Sequence, residues 1–234
     1  MQFAAALTYG RMVRRYKRFL ADILLDESGE EVTAHCANSG SMKGLVHEGG
    51  AAALSRSDNP KRKLAWTLEL VSSEGAWVGV NTGLANRIAE EALQQGWIRE
   101  VAGFAELKRE VPFGDARLDF RLTEADGALT YLEVKSVTLR LEGEAAFPDA
   151  VTKRGQKHLG SLTDAVKAGH RGVILFIVQR SDCDHFRPAH EIDPDYANLL
   201  KAAQESGVEI LVYGCRVTPE EIRVERPLPY RLGS

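Results

Sequence analysis

The sequence contains few cysteines and no long apolar run. Its three cysteines, Cys36, Cys183 and Cys215, are far apart and form no Cys-x-x-Cys pair, which argues against a disulfide framework and a cysteine-rich zinc site. No apolar run approaches the roughly 18 residues that a membrane-spanning helix needs. The first residues also lack the positive charge and the cleavage site of a secretory signal. We therefore expect a cytoplasmic protein with no membrane contact.

The signatures of two enzyme classes are missing as well. Residues 40–44 are rich in glycine but lack the GxxxxGK[ST] spacing of a phosphate-binding loop. The six histidines show no His-Glu-x-x-His pattern. Neither a nucleotide hydrolase of the phosphate-loop type nor a zinc hydrolase is therefore indicated.

The chain has no excess of positive charge. Its 30 basic and 33 acidic residues give a net charge of −3, which argues against a protein that coats nucleic acid by bulk attraction but leaves room for local basic patches. Hydrophobic residues make up 44% of the 234 positions, enough to build the core of one large domain or two small ones.

Short apolar runs, separated by Gly, Asn, Ser and Pro clusters, fill the first 80 residues. This rhythm predicts a small β-barrel, and its five runs favour the oligonucleotide/oligosaccharide-binding (OB) type. The predicted strands are 19–25, 32–36, 51–55, 66–72 and 76–80.

From residue 82 onward the apolar period becomes helical and then alternates between helices and strands. This order predicts an α/β (α+β) domain with a mixed sheet flanked by helices. The predicted helices are 82–95, 155–167 and 195–206, and the predicted strands are 107–111, 117–122, 130–138, 173–178 and 208–213. We therefore expect two domains, 1–80 and 81–234.

Two carboxylates and a lysine stand out in the second domain. Glu133 and Lys135 lie two residues apart on one predicted strand, so their side chains share a face, and Asp119 on the preceding strand can reach that face. Carboxylate oxygens hold Mg²⁺ or Mn²⁺, which polarises a phosphate and activates a water, while a lysine stabilises the developing charge. This set suits phosphodiester hydrolysis, although a Glu/Lys pair alone also fits a solvated sheet face.

Two helical residues extend the set. At 100° per residue, Glu91 lies close to the inward direction of Ile88 on the first predicted helix. Gln156 precedes the inward-facing Leu159 by three residues on the second. Both side chains are therefore predicted to reach the same site.

The order of these residues resembles the PD-(D/E)xK nuclease superfamily, especially its RecB-like branch. Glu91 on a helix, Asp119 on a strand, Glu133-x-Lys135 on the next and Gln156 on the following helix carry the likeness. More specifically, the chain resembles the sugar fermentation stimulation protein A family over seven stretches in order: 15–22, 38–45, 54–63, 78–86, 132–139, 146–159 and 176–180.

The resemblance implies an OB-type barrel followed by a PD-(D/E)xK nuclease-like domain, non-specific DNA binding, and a role in regulating sugar metabolism, maltose in particular. It also implies roles for the site residues. Asp119 and Glu133 would be metal ligands for Mg²⁺ or Mn²⁺, and Lys135 the partner of the water or phosphate. Glu91 would be an accessory carboxylate and Gln156 a positioning residue.

Basic clusters mark where nucleic acid would bind. The first combines five positive charges with a tyrosine able to stack on bases, and its alternative is an ordinary solvated basic edge strand. The predicted binding residues are Arg11, Arg14, Arg15, Tyr16, Lys17 and Arg18, then Lys61, Arg62 and Lys63, and finally Lys153, Arg154 and Lys157 beside the acidic site. The expected partner is DNA, with RNA as an alternative, bound independently of sequence.

Three functions remain open at this point. The first is a metal-dependent nuclease that binds nucleic acid. The second is a non-catalytic DNA-binding regulatory protein whose nuclease-like site is vestigial or only clamps phosphate. The third is an adaptor whose barrel binds a protein, which predicts no salt-dependent retention of DNA. The sequence does not decide the oligomeric state.

Overall fold

The computed structural model describes residues 1–233. Strands β1 to β6 occupy the N-terminal third of the chain and form one six-stranded sheet. They are β1 (Thr8–Tyr16), β2 (Leu20–Leu25), β3 (Glu31–His35), β4 (Ala51–Arg56), β5 (Trp66–Ser73) and β6 (Ala76–Gly79).

Five of these strands close into a barrel. β1 pairs with both β2 and β4, β2 pairs with β3, β4 pairs with β5, and a parallel contact between β3 and β5 completes the ring. Met12, Ile23, Leu54 and Leu68 fill the interior because alternate side chains of a strand point to one face. β6 only extends the hairpin of β5. The predicted barrel of the OB type is confirmed.

β1 lies outside the five predicted strands. Its outward positions carry arginines, and two of its inward positions are Gly10 and Met12, so it has no apolar run. Gly10 is needed where it is, because an added Cβ would lie 2.6 Å from the backbone oxygen of Leu24 on β2. Tertiary packing thus makes a strand of a segment that stands out in the sequence only as a basic cluster.

The remaining elements form two further sheets and three α-helices within residues 1–233. The helices are α1 (Ala85–Gln94), α2 (Lys153–Lys167) and α3 (Pro194–Glu205). The strands are β7 (Glu106–Phe113), β8 (Ala116–Thr123), β9 (Leu129–Val137), β10 (Leu139–Leu141), β11 (Glu144–Phe147), β12 (Arg171–Val178), β13 (Phe186–Pro188), β14 (Glu209–Val217) and β15 (Ile222–Pro227).

The larger sheet is mixed and has the order β15-β14-β12-β9-β8-β7. Its central strands β9, β12 and β14 are parallel, and its outer strands are antiparallel. α1 packs on one face through Ile88 and Ala92, while α2 and α3 pack on the other through Leu159 and Leu200. The predicted α/β fold class with a mixed sheet is confirmed.

Some strands of this part were not predicted. β10, β11 and β13 form a small sheet. β10 and β11 lie in the connection between β9 and α2, and β13 lies in the one between β12 and α3. Each has three or four residues, too few for a period to show. β15 also lies beyond the last predicted strand. Of the helices in the described residues, none has the length and apolar character to cross a membrane.

The barrel joins the mixed sheet at the carboxyl end of β12. The amide of Gly79 donates to the backbone oxygen of Gln179 at 2.9 Å, and Val78 forms a β-bridge with Arg180. A Cβ at Gly79 would lie 2.7 Å from the Gln179 side-chain oxygen, so a larger residue there would require that side chain to move. The junction places the barrel beside the edge where β9 and β12 end.

Candidate active site

Asp119 lies where β8 and β9 separate. The two strands pair only as far as Phe120 opposite Leu132. One residue further, the amide of Val134 donates to the Oδ2 of Asp119 at 2.8 Å, so the carboxylate takes the place of a backbone partner. Asn86, near the start of α1, donates to Oδ1 at 2.7 Å. Both oxygens are therefore held in place at the opening between the strands.

Glu133 lies on β9 with its side chain toward α2, and it is only 3% exposed. The ammonium of Lys135 donates to Oε1 at 2.6 Å, and Nδ1 of His158 donates to the same oxygen. The other oxygen, Oε2, is buried without a hydrogen-bond partner. Glu133 thus has one crowded oxygen and one free oxygen.

The two carboxylates differ in their ionisation. Burial raises the pKa of Asp119, and the neighbouring charge of Glu133 raises it further, although Val134 and Asn86 oppose the shift. Burial also acts to raise the pKa of Glu133, but His158 and Lys135 outweigh it, and the result lies below the ordinary value. Two carboxylates that repel each other in a buried place favour a cation between them.

A cleft of about 520 Å³ contains the site and lies between the barrel and the mixed sheet. Asp119, Glu133 and Lys135 line it together, as predicted from their spacing. Its other walls come from the barrel loop at 38–40, from the start of α1 and from the segment 146–152. The three residues that carry the predicted chemistry are thus accessible from one opening.

The donor set fits a hard divalent cation that keeps part of its water shell. Within residues 1–233, no group of three or more His, Cys, Asp or Glu side chains is arranged to hold a metal. Mg²⁺, however, is commonly bound through one or two carboxylates and retains several waters. The free Oε2 of Glu133 is a buried acceptor without a donor, which a cation would satisfy.

Glu91 and Gln156 are placed away from this group, and neither lines the cleft. Glu91 forms an ion pair with the α-ammonium of Met1. Gln156 donates to both carboxylate oxygens of Asp193, at 3.0 and 3.2 Å, beside the start of α3. Their predicted site roles therefore have no contact in the structure that brings them to Asp119 or Glu133.

His158 and Asn86 contact the acidic pair but were not predicted. His158 is 5% exposed and belongs to the buried stripe of α2 with Gly155, Leu159 and Leu162. A histidine on such a stripe, two residues after Gln156, was the available signal. Asn86 shows no comparable signal, because only the separation of β8 from β9 gives its amide a carboxylate to bind.

The three arginines of β1 are engaged in internal hydrogen bonds. Arg14 and Tyr16 both donate to Asp22, at 2.8 and 3.2 Å, and Arg11 donates to Asp26 at 3.3 Å. Arg15 donates to the backbone oxygens of residues 38, 40 and 41. Lys17 and Arg18 occupy the exposed turn between β1 and β2, and Arg18 lines the cleft.

In each of the two other basic clusters, some side chains are also engaged within the protein. Arg62 donates to Thr67 at 2.9 Å, while its neighbours Lys61 and Lys63 are exposed on the loop. On α2, Lys153 pairs with Asp195 and Lys157 donates to the backbone oxygen of Asp115. Arg154 alone of these lines the cleft, where its Nε donates to His158 at 3.4 Å. Arg18 and Arg154 therefore supply positive charge to the opening of the acidic site.

Known proteins share this architecture. The pattern described as the SfsA N-terminal OB domain matches residues 13–80, and that of the sugar fermentation stimulation protein RE domain matches residues 83–221. A sugar fermentation stimulation protein homolog of Magnetococcus marinus is 69% identical, and the match covers 100% of this chain and 100% of that protein. One of Geotalea uraniireducens is 51% identical over 99% of this chain and 100% of its own.

A solved structure agrees with these matches. SfsA of Pyrococcus furiosus, described in complex with Ca²⁺, superimposes with a TM-score of 0.89 at 27% identity, covering 99% of this chain and 98% of that one. The two matched patterns follow one another along the chain in the order of the barrel and the mixed sheet. The chain belongs to the sugar fermentation stimulation protein family.

Proposed function

We propose that the cleft hydrolyses phosphodiester bonds of nucleic acid with a bound divalent cation, Mg²⁺ or Mn²⁺. The observation that carries the proposal is the convergence of Asp119, Glu133 and Lys135 in one cleft, with the buried Oε2 of Glu133 lacking any partner. A buried acceptor without a partner is costly, and a bound ion is one explanation for such a group.

Each side chain of the site has a task in this proposal. Asp119 and Glu133 would hold the cation, which polarises the phosphate and acidifies a water. Lys135 would stabilise the charge that develops on the phosphate. His158 holds the shared oxygen of Glu133, so it would fix the direction of the free oxygen. The Ca²⁺ described for the Pyrococcus furiosus relative supports an oxygen-rich cation site, because Ca²⁺ and Mg²⁺ both prefer oxygen ligands.

The proposed partner is DNA, with RNA as an alternative, bound through its backbone and independently of sequence. Arg18 and Arg154 support this at the cleft, and exposed Lys17, Lys61 and Lys63 add positive charge on the barrel.

In this proposal residues 1–80 form the binding domain and residues 81–234 the nuclease-like domain, a division that stays a prediction. A cytoplasmic role in regulating sugar metabolism, maltose in particular, completes it, and the three free cysteines suit a reducing compartment.

The test is cleavage of linear single-stranded and duplex DNA by the full chain with Mg²⁺ or Mn²⁺. We expect Asp119→Asn to lose cleavage, while Asp115→Asn, exposed at the turn between β7 and β8, keeps it. Chelation of the metal should stop the reaction of the unaltered protein. Cleavage that is absent, or equal in the two variants, would remove the enzymatic proposal.

A second candidate is a DNA-binding regulatory protein that uses the site only as a phosphate clamp. The engagement of Glu133 Oε1 by both Lys135 and His158 favours it, because that oxygen is then closed to a metal. Salt-dependent DNA binding without turnover, unchanged when metal is added, would select this candidate over the nuclease.

A further inference from the structure

Ser136 lies near the end of β9, where this strand has no β8 partner. The two strands pair only as far as Phe120 opposite Leu132, while β9 stays in register with β12 up to residue 137. The amide of Val134 points toward the opening left by β8, because it donates to Asp119 at 2.8 Å. Backbone groups two residues apart on a strand point the same way, so the amide of Ser136 is directed toward this opening as well.

The side chain of Ser136 adds a second donor. Ser136 lines the cleft together with Glu133 and Lys135. Nε2 of Gln179 donates to the Oγ of Ser136 at 2.7 Å. A serine hydroxyl has one proton and can accept as well as donate. Because Oγ accepts from Gln179, its own proton remains available for another acceptor.

Gln179 is held at the junction between the barrel and the mixed sheet, and it is 0% exposed. Its backbone amide donates to the oxygen of Val137 at 2.8 Å, and its backbone oxygen accepts from Gly79 at 2.9 Å. Its side-chain oxygen is buried without a partner, so the contact with Ser136 is the only hydrogen bond that this side chain makes within residues 1–233. The side chain that directs the Ser136 hydroxyl is therefore itself fixed by the fold.

These donors complement an anion. Phosphate oxygens are commonly bound by backbone N–H groups, serine hydroxyls and basic side chains, all of which residues 135 and 136 supply. About 7 Å of strand separates Ser136 from Val134, which holds Asp119. The carboxylates of the cleft thus suit a cation, and the donors of Ser136 suit a phosphate close to it.

We propose that Ser136 binds a phosphate oxygen of the substrate strand through its amide and its hydroxyl, and that Gln179 is the positioning residue that directs this hydroxyl. This inference rests on the proposed function for its substrate, a nucleic acid, and adds a contact to the phosphate. The direction of the hydroxyl is fixed, so it meets one of the two non-bridging oxygens of a phosphodiester. The contact therefore distinguishes the two oxygens.

Stereodefined phosphorothioate DNA tests this contact. Each phosphate of such a strand carries sulfur in place of one non-bridging oxygen, and sulfur accepts hydrogen bonds weakly. Two strands of about 12 nucleotides, one uniformly Rp and one uniformly Sp, are titrated against the full chain with Ca²⁺. The ratio of their dissociation constants is the Rp/Sp ratio. Any preference of the metal is common to all protein variants, so it cancels when their ratios are compared.

Ser136→Ala should change the Rp/Sp ratio by at least about fivefold, because the hydroxyl bond to one oxygen is lost. Ser39→Ala is the matched control, since it removes an exposed hydroxyl of the same cleft and should leave the ratio within about twofold. Ser136→Thr keeps a hydroxyl and should also keep the ratio. An unchanged ratio in folded Ser136→Ala would overturn the proposal.

A double-mutant cycle tests the role of Gln179. Gln179→Met preserves the apolar bulk of the side chain but removes the donor to Ser136, so we expect a smaller change of the ratio, about twofold to threefold. Added to Ser136→Ala, it should change the ratio no further, because Gln179 acts through that hydroxyl. A further change of the same size in the double variant would contradict the positioning role.

This contact and the nuclease fail in different ways. If the ratio responds to Ser136→Ala but no ordinary DNA is cut with Mg²⁺ or Mn²⁺, the phosphate contact stands and the enzymatic proposal falls. If DNA is cut, Asp119→Asn abolishes the cutting and the ratio ignores Ser136→Ala, the nuclease stands and the contact falls. If the protein binds no strand at all, both are wrong.

Discussion

Asp22 in the barrel and Glu133 in the mixed sheet are equally buried, each about 3% exposed, and each accepts a hydrogen bond from a basic side chain. Their surroundings differ. Asp22 uses both oxygens, accepting from Arg14, Tyr16 and Thr33 at 2.8 to 3.2 Å. Glu133 uses only Oε1, and its Oε2 is buried without a partner. The residue lines the cleft.

The difference separates a structural carboxylate from a functional candidate. Burying a charge is unfavourable unless hydrogen bonds and an opposite charge compensate it. Both oxygens of Asp22 are occupied by donors of the protein, one of them a guanidinium. Glu133 is compensated at Oε1 only, so its Oε2 is left without the partner that a ligand would supply.

Glu133→Gln should abolish function while Asp22→Asn should not. We expect Glu133→Gln to reduce cleavage by at least about 100-fold, because the cation loses a charged ligand. Added Mn²⁺ should raise the melting temperature of the unaltered protein and of Asp22→Asn, but not that of Glu133→Gln. Cleavage assays and thermal melts with and without metal measure both effects. A metal-induced shift that survives in Glu133→Gln would contradict the assignment.

Asp22→Ala should destabilise the barrel. Three donors lose their buried acceptor at once, so we expect the free energy of unfolding to fall by about 3 kcal/mol. Asp26→Ala is the matched control, because it removes only an exposed ion pair with Arg11, which lies on β1 as Arg14 does. We expect it to lower the free energy of unfolding by less than about 1 kcal/mol. Urea unfolding measures both. Equal losses in the two variants would show that the buried network adds nothing.

The contribution of Asp22 should depend on pH. Burial acts to raise its pKa, but Arg14, Thr33 and Tyr16 outweigh it and the folded-state pKa lies below the usual value. Its stabilising effect is therefore present above the unfolded-state pKa of about 3.9 and is lost as the pH falls through the folded-state value. The stability gap between the unaltered protein and Asp22→Asn should stay constant from about pH 7 to 5 and shrink below about pH 4. Urea unfolding at each pH measures this gap. A gap that widens in acid would contradict the assignment.

Arg18→Ala should weaken nucleic-acid binding slightly, and Lys17→Ala should weaken it less. Both residues are exposed in the turn between β1 and β2, but only Arg18 lines the cleft. We expect Arg18→Ala to lower affinity by about fivefold and to reduce the salt slope by about one. Binding titrations at several salt concentrations measure both quantities. Equal effects of the two changes would indicate that the nucleic acid binds outside the cleft.

The site was predictable where it depends on strand alternation. Glu133 and Lys135 share a face because they are two residues apart on a strand, and Asp119 follows from its place in an otherwise apolar strand. Helical residues were harder to place. Small errors in the rotation of a helix decide which side chain faces the sheet, so His158 contacts Glu133 while Gln156 turns toward Asp193.

The basic residues show the same limit. Charge and spacing identify Arg14, Arg15 and Arg18 equally well, since all three lie within one short segment. Their partners come from elsewhere in the chain. Arg14 donates to Asp22, and Arg15 donates to backbone oxygens of the loop at 37–42. Of the three, only Arg18 lines the cleft. No local pattern distinguishes them.

Local periodicity and motifs a few residues long predict the family, the barrel, the mixed sheet and the strand residues of the candidate site. Which charges are free and which are paired depends on the tertiary structure. It also places the loop at 37–42 in contact with Thr82 and Asp149, at the cleft that contains the acidic pair. Such contacts join segments far apart in the chain, and their hydrogen bonds form only after both sheets have packed.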